Sequence, residues 1–164
     1  MTDATIRPAF SVWPDFNRSL RDVVAGMTDE QLAMQPSPDR WPLWATIGHL
    51  ACQRVFWLCD FAGEPGAETT RFTNAGFDCP GDDDLEHVLN AEQLAEALDS
   101  TFRIVEGCLD RWTLEIVDEE IRRWGRVHRR GWVLLRMFSH DVYHSAELNE
   151  TLGARGLPQI DFWS

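Results

Sequence analysis

Residues 131–152 read GWVLLRMFSHDVYHSAELNETL, and this stretch predicts one long helix. Its apolar residues from Val133 to Leu148 recur at helical spacing, which marks the side that faces a core. His140 and His144 fall on the same stripe, four residues apart, so their rings are neighbours on one face. Burying two imidazoles without partners is costly, so they need either hydrogen bonds in the core or a metal ion. Both interpretations are open at this point.

Three more helical segments precede this one, and loops rich in Gly, Pro and Asp separate them. They are expected from Trp13 to Gly26, from Pro42 to Ala62 and from Leu85 to Trp112, with a long loop over Gly63–Asp84 and a polar connection over residues 113–130, extended near Leu114–Val117. Four helices with a long middle connection are typical of a four-helix bundle. We therefore predict an all-α four-helix bundle with a long crossover loop between helices two and three, as a single domain over residues 1–164.

The composition limits the partners of this chain. Of its 164 residues, 44% are apolar and 26% charged, which is typical of a globular domain, and the net charge of −12 argues against nucleic acid and against anionic membranes. Residues 122–130, RRWGRVHRR, are the basic exception. This run either binds an anionic substrate or the carboxylates of a thiol cofactor, or is a solvated loop that balances acidic neighbours.

The four cysteines form no Cys-x-x-Cys pair, and residues 1–10 lack the apolar stretch of a signal peptide. A cytoplasmic location with free thiols is therefore expected. The second helix is apolar on every side, which predicts that one face meets a second subunit and hence a homodimer. His49 lies on this helix, but no local spacing pairs it with the two later histidines.

Three segments resemble the DinB-like (YfiT-like) metalloprotein superfamily. They are DRWPLWATIGHL at residues 39–50, HDVYHSAEL at residues 140–148 and GLPQIDFW at residues 156–163. The resemblance implies a four-helix bundle, often dimeric, with a divalent metal on three histidines. In this sequence those ligands would be His49, His140 and His144, and zinc or nickel suits three imidazoles.

Members of that superfamily with known activity include thiol-dependent S-transferases and a mycothiol-dependent isomerase. The resemblance therefore implies a metal-dependent enzyme that transfers a low-molecular-weight thiol to a small molecule. A metal-dependent hydrolase and a non-catalytic metal-binding or interaction protein are the alternatives. Glu147 stands where the commoner pattern has glutamine, and it could orient a ring, act as a base or bind the metal. Asp141 is the second candidate catalytic residue, with a solvated helix position as its ordinary alternative, and Cys52 is either a further ligand or a small core residue.

Overall fold

The computed structural model describes residues 4–73 and 78–163, and its architecture is mostly helical. The helices are α1 (Trp13–Ala25), α2 (Asp29–Leu32), α3 (Leu43–Val55), α4 (Ala91–Arg111), α5 (Leu114–Asp118) and α6 (Arg130–Gly153), and a hairpin of β1 (Glu120–Arg123) and β2 (Arg126–Arg129) precedes α6. The prediction of an all-α fold is therefore confirmed. In the part of the chain described, no helix is both long and apolar enough to cross a membrane.

The four long helices enclose one core. Helix α4 packs against both α1 and α3, and α3 packs against α6. Pro14 lies in the first turn of α1, where its missing N–H costs nothing, and Gly26 follows the last residue of that helix. The chain after α6 returns to the core, since Ile160 is buried and the Phe162 ring stacks on Phe16 at 5.1 Å.

Helix α3 is buried on all sides within a single chain. Every residue from Leu43 to Cys52 is buried, and α3 continues into a wider π-helical turn over Phe56–Phe61. Helices α4 and α6 cover two sides, and the segment that follows Cys79 covers a third. A second subunit is not needed to explain why α3 is apolar all round, so the homodimer stays a prediction without that support.

Two segments differ from expectation. Helix α4 begins at Ala91 and not near Leu85, because the Asn90 side chain accepts a hydrogen bond from the Gln93 N–H and Gln93 reciprocates. The residues expected to be extended, Leu114–Val117, form α5 instead. The extended residues come later, in a hairpin whose turn residues Trp124 and Gly125 both have positive φ, the conformation that suits the twist of a two-residue turn.

The long crossover loop between α3 and α4 is only partly regular. It contains a 3-10 turn over Ala67–Thr69 and a compact turn over residues 79–84, where the Gly81 N–H donates to the Asp84 carbonyl. Residues 74–77 of this loop lie outside the described residues. Asp82, in the described turn over residues 79–84, lies next to His49, so this loop contributes to the site.

Candidate metal centre

Helix α6 presents two histidine rings side by side. His140 and His144 are one turn apart, and their ring centres lie 4.4 Å from each other. The most buried line of α6 passes beside them, through Met137, Asp141 and Ser145. The two rings therefore stand at the edge of the buried face, half-buried, where side chains of α3 meet α6.

Helix α3 supplies the third ring. His49 is buried, its Nε2 lies 3.2 Å from Nε2 of His140, and its ring centre is 5.3 Å from that of His144. One ligand atom from each of the three histidines falls within 4.8 Å of the other two, and among the described residues no other side chain joins this group. The structure thus brings together the three residues that the sequence singled out, across 91 positions of chain.

The outer nitrogens of two rings have partners that fix their orientation. Nδ1 of His144 donates to Oε2 of Glu147 at 2.8 Å, which leaves its Nε2 as a free lone pair. Nδ1 of His49 faces the Asp82 carboxylate at 3.4 Å, so its Nε2 is likewise the lone-pair nitrogen. Nδ1 of His140 is buried and has no hydrogen-bond partner among the described residues. The 3.2 Å contact between Nε2 of His49 and Nε2 of His140 therefore has two chemical forms: a hydrogen bond, if the His140 Nε2 carries a hydrogen, or two lone pairs that face one cation.

The protonation states also suit metal ligation. Burial lowers the pKa of His49 to about 4, despite the opposing effect of Asp82. Burial, together with the nearby His144 and His49 rings and the Arg136 and Arg54 charges, lowers the pKa of His140 to about 2. Both rings are therefore neutral at neutral pH, and a neutral imidazole is the form that binds a divalent metal.

A buried ion pair holds the two ligand-bearing helices against each other. Arg54 of α3 donates through Nη2 to Oδ2 of Asp141 in α6 at 2.7 Å, and both side chains are fully buried. Arg54 also donates to the Leu98 carbonyl, and the Trp13 indole donates to Asp141 at 2.8 Å. Burial raises the pKa of Asp141, against the opposing effects of Arg54 and Trp13. Arg54 lies five residues after His49 in α3, and Asp141 lies one residue after His140 in α6.

The crossover loop closes over the other side of His49. Cys79 forms a disulfide with Cys52 of α3, so the expectation of free thiols is wrong for this pair, while Cys59 and Cys108 are free. A Cβ on Gly48 would lie 2.9 Å from Pro80, which shows how closely the loop approaches the helix. Cys52 is therefore bonded covalently to the loop and is not part of the histidine group.

Comparisons with known proteins identify the family and the fold of this chain. A sequence profile of the DinB superfamily matches residues 16–148. The chain belongs to the DinB superfamily. A DinB-like protein from Bacillus cereus has a similar structure, with a TM-score of 0.71 and 18% identity over 96% of each chain. A DinB-like protein from Bacillus subtilis (TM-score 0.64, 15% identity, 94% of this chain and 95% of the other) and a conserved protein from Enterococcus faecalis (TM-score 0.64, 15% identity, 87% and 92%) are also similar. No curated protein matches in sequence.

Two cavities flank the three histidines of this DinB superfamily protein. One, of about 280 Å³, is lined by His144 and Glu147 together with Arg40 and Trp41 from the segment before α3. The other, of about 430 Å³, is lined by His140 and the exposed face of α6. Tyr143 lines both. One cavity therefore borders His144 and the other borders His140, while His49 lines neither.

The two candidate catalytic residues have different surroundings. Glu147 lines the smaller cavity and bonds the outer nitrogen of His144, and Arg40 lies 3.7 Å from its other oxygen. Asp141 points to the core, where it is fully buried, so it is not a solvated helix residue. Sequence reasoning missed Asp82 and Arg54, because their roles depend on contacts between segments that are distant in sequence. The one local signal for Arg54 is a lone cation within an apolar helix.

Proposed function

We propose that this DinB superfamily protein is a metal-dependent enzyme that binds a divalent ion through His49, His140 and His144. The observation that carries the proposal is the convergence of one ligand atom from each ring within 4.8 Å. Tetrahedral zinc places its imidazole nitrogens about 3.3 Å apart, and an octahedral ion about 3.0 Å. The 3.2 Å between Nε2 of His49 and Nε2 of His140 is close to both values, so this one distance does not favour zinc over nickel.

An open coordination position supports an enzyme over a structural metal site. A structural zinc site is closed by a fourth protein ligand, whereas a catalytic one keeps a position for water or substrate. Neither side chain that could have supplied that ligand joins the group, since Cys52 is in a disulfide and Glu147 bonds the outer nitrogen of His144. A non-catalytic metal-binding or interaction protein has no comparable support.

Transfer of a low-molecular-weight thiol is the reaction we propose first. A bound divalent ion acts as a Lewis acid, which lowers the pKa of a coordinated thiol or water. One cavity is lined by His144 and the other by His140, so a thiol and an electrophile have separate places to bind beside the two ligand residues of α6. Glu147 would hold the His144 ring in its ligand tautomer, and its second oxygen, near Arg40, lines the smaller cavity where it can accept a proton.

Metal-dependent hydrolysis is the second candidate, and the same glutamate favours it. A carboxylate beside an open metal position is placed to accept a proton from an attacking water. The two reactions differ in their need for thiol. A cytoplasmic location and a homodimer remain part of the proposal.

Elemental analysis of the purified protein tests the metal site. We expect about one zinc or nickel per chain, lost in His49→Ala and in His144→Ala. The matched control is His87→Ala, since His87 is exposed, bonds the Asp84 carboxylate and lies outside the histidine group. Equal metal content in all of these proteins, or none in any after reconstitution, would refute the site.

An activity comparison on the metal-loaded protein then separates the candidates. We expect consumption of mycothiol or bacillithiol with 1-chloro-2,4-dinitrobenzene as the electrophile, and no turnover in His49→Ala. Hydrolysis of p-nitrophenyl acetate without thiol would favour the hydrolase. Full metal occupancy with neither activity across a panel of electrophiles and esters would favour the non-catalytic alternative.

A further inference from the structure

Two arginines near the metal centre have no acidic partner. Most arginines of the hairpin region are paired, with Arg122 bonded to Glu120 and Arg129 to Asp118. Arg126 and Arg136 differ, because among the described residues neither makes an ion pair or a hydrogen bond, and both lie against aromatic rings. What distinguishes these two cations, in a chain with a net charge of −12, is that both contact the same ring.

The two guanidinium groups share one aromatic ring. The central carbon of Arg136 lies 4.8 Å from the centre of the Trp57 ring and 5.9 Å from that of Trp132, while that of Arg126 lies 5.9 Å from Trp57. His128 stacks on the far end of this cluster, with its ring centre 3.7 Å from that of Trp132. A ring face attracts a cation but accepts few of its N–H donors.

Both guanidinium groups lie within 5.9 Å of the centre of the Trp57 ring, so two like charges share one part of the surface. Burial and the charge of Arg126 both lower the pKa of Arg136, which remains charged at neutral pH because arginine starts from a very high value. Repulsion between adjacent cations weakens the fold unless an anion offsets it. The arrangement is therefore more favourable with an anion bound than without one.

The groove beside these arginines leads to the metal centre. It has a volume of about 430 Å³ and is lined by Trp132, Leu135, Arg136, Ser139, His140 and Tyr143. Arg136 precedes His140 by one turn of α6, so its guanidinium and the ligand ring are neighbours on the same face. If Arg136 binds the anionic group of a ligand, the rest of that ligand would lie along Trp132 and Tyr143, close to His140.

We propose that this groove binds the anionic group, a carboxylate or a phosphate, of the substrate or thiol. Its ligands would be Arg136, which lines the groove, and Arg126, which shares the Trp57 ring with Arg136. The inference rests on the proposed function where it places the anion beside a catalytic metal, but the arginine site stands on its own contacts. Guanidinium donors match both anions, because two parallel N–H groups meet two oxygens. The site takes an anion attached to an aromatic or apolar body, because Trp132, Leu135 and Tyr143 form its walls.

Calorimetric titration with phenyl phosphate and benzoate tests this, with benzyl alcohol as the neutral probe. We expect the zinc-loaded protein to bind at least one of the two anions, and benzyl alcohol at least tenfold more weakly. Arg136→Gln and Arg126→Gln should each weaken anion binding about tenfold or more. Arg103→Gln is the matched control, because Arg103 is exposed, has no partner among the described residues and lies on α4 beside α1. It should change the affinity less than twofold.

Zinc content of the same samples separates this proposal from the previous one. His49→Ala without zinc that still binds the anion through the arginines would support the anion site and refute only the metal site. Equal binding by Arg136→Gln, Arg126→Gln and Arg103→Gln would overturn the anion site whatever the zinc content. It would also be overturned if the arginine variants changed the oligomeric state in size-exclusion chromatography but left anion binding intact, since the groove would then be a subunit interface.

Discussion

Replacing Arg54 by methionine is expected to destabilise this protein more than any change at its surface. Both members of the Arg54–Asp141 pair are fully buried, and Arg54 donates to Asp141 through Nε and Nη2. In Arg54→Met the carboxylate would keep only the Trp13 indole as a donor. The Leu98 carbonyl would lose its bond to the guanidinium as well.

The expected loss is about 3–5 kcal/mol, because removing one partner leaves an uncompensated charge inside the protein. A domain of this size has about 5–15 kcal/mol of stability in total, so the variant would fold with a small margin. At about 2–4 °C per kcal/mol, its melting temperature would fall by roughly 6–20 °C. Removing the charge from the other side as well, in Arg54→Met/Asp141→Asn, should recover about half of the loss or more, since the amide oxygen still accepts from Trp13.

Urea denaturation of the metal-free protein, followed by circular dichroism, measures these differences. Arg18→Met is the control, because Arg18 forms an exposed pair with Asp15, and we expect it to cost less than about 1 kcal/mol. A loss below 1 kcal/mol in Arg54→Met would refute the reasoning. A double variant as unstable as the single one would also refute it, since lost packing and not a stranded charge would then explain the effect.

Three further changes follow from the metal centre and the loop that covers it. Glu147→Ala should lower zinc affinity about 10–100-fold, measured by competition with a chelator, because the ligand ring loses the carboxylate that fixes its tautomer. Acidification should destabilise the metal-free protein. The pKa of His49 is about 4 when folded and 6.5 otherwise, so the stability that its neutral ring contributes above pH 6.5 is lost towards pH 4, by up to about 3 kcal/mol in denaturant titrations. His140, with a pKa of about 2, adds a similar loss over the same range, so His49→Asn should make the profile less steep. Gly81→Ala should cost more than Gly63→Ala in thermal melts, since both have positive φ but only the Cβ of the former would meet a neighbour, 2.7 Å from Trp41.

Each of these expectations has a result that contradicts it. Unchanged zinc affinity in Glu147→Ala would mean that the carboxylate does not orient the ring. A stability profile that is flat between pH 7 and pH 4, or equally steep in His49→Asn, would show that His49 is not the buried group that takes up protons. Equal melting temperatures for the two glycine variants would mean that the loop is not packed tightly on Trp41.

The parts of the fold that sequence predicts are those set by neighbouring residues. Helix geometry alone predicts that the rings of His140 and His144, four residues apart, are neighbours. Pro14 likewise predicts that α1 starts at Trp13. The hairpin was not predicted, because its turn places a tryptophan, Trp124, at positive φ, where that residue type is rare. Local propensity also misjudged α5, where the Thr113 hydroxyl accepts from the Ile116 N–H and starts a helix among residues that favour strands.

The site required information that no local pattern contains. Spacing could not pair His49 with the later histidines, and only the resemblance to the DinB superfamily did so. The structure supplies a physical cause: Arg54 and Asp141 fix α3 against α6, and the histidines of the same two helices meet beside that pair. A buried ion pair contributes little net stability compared with apolar residues of the same volume, but it has one favoured geometry. Its position therefore favours a role in setting the register of the two helices, which is what a three-ligand site divided between them requires.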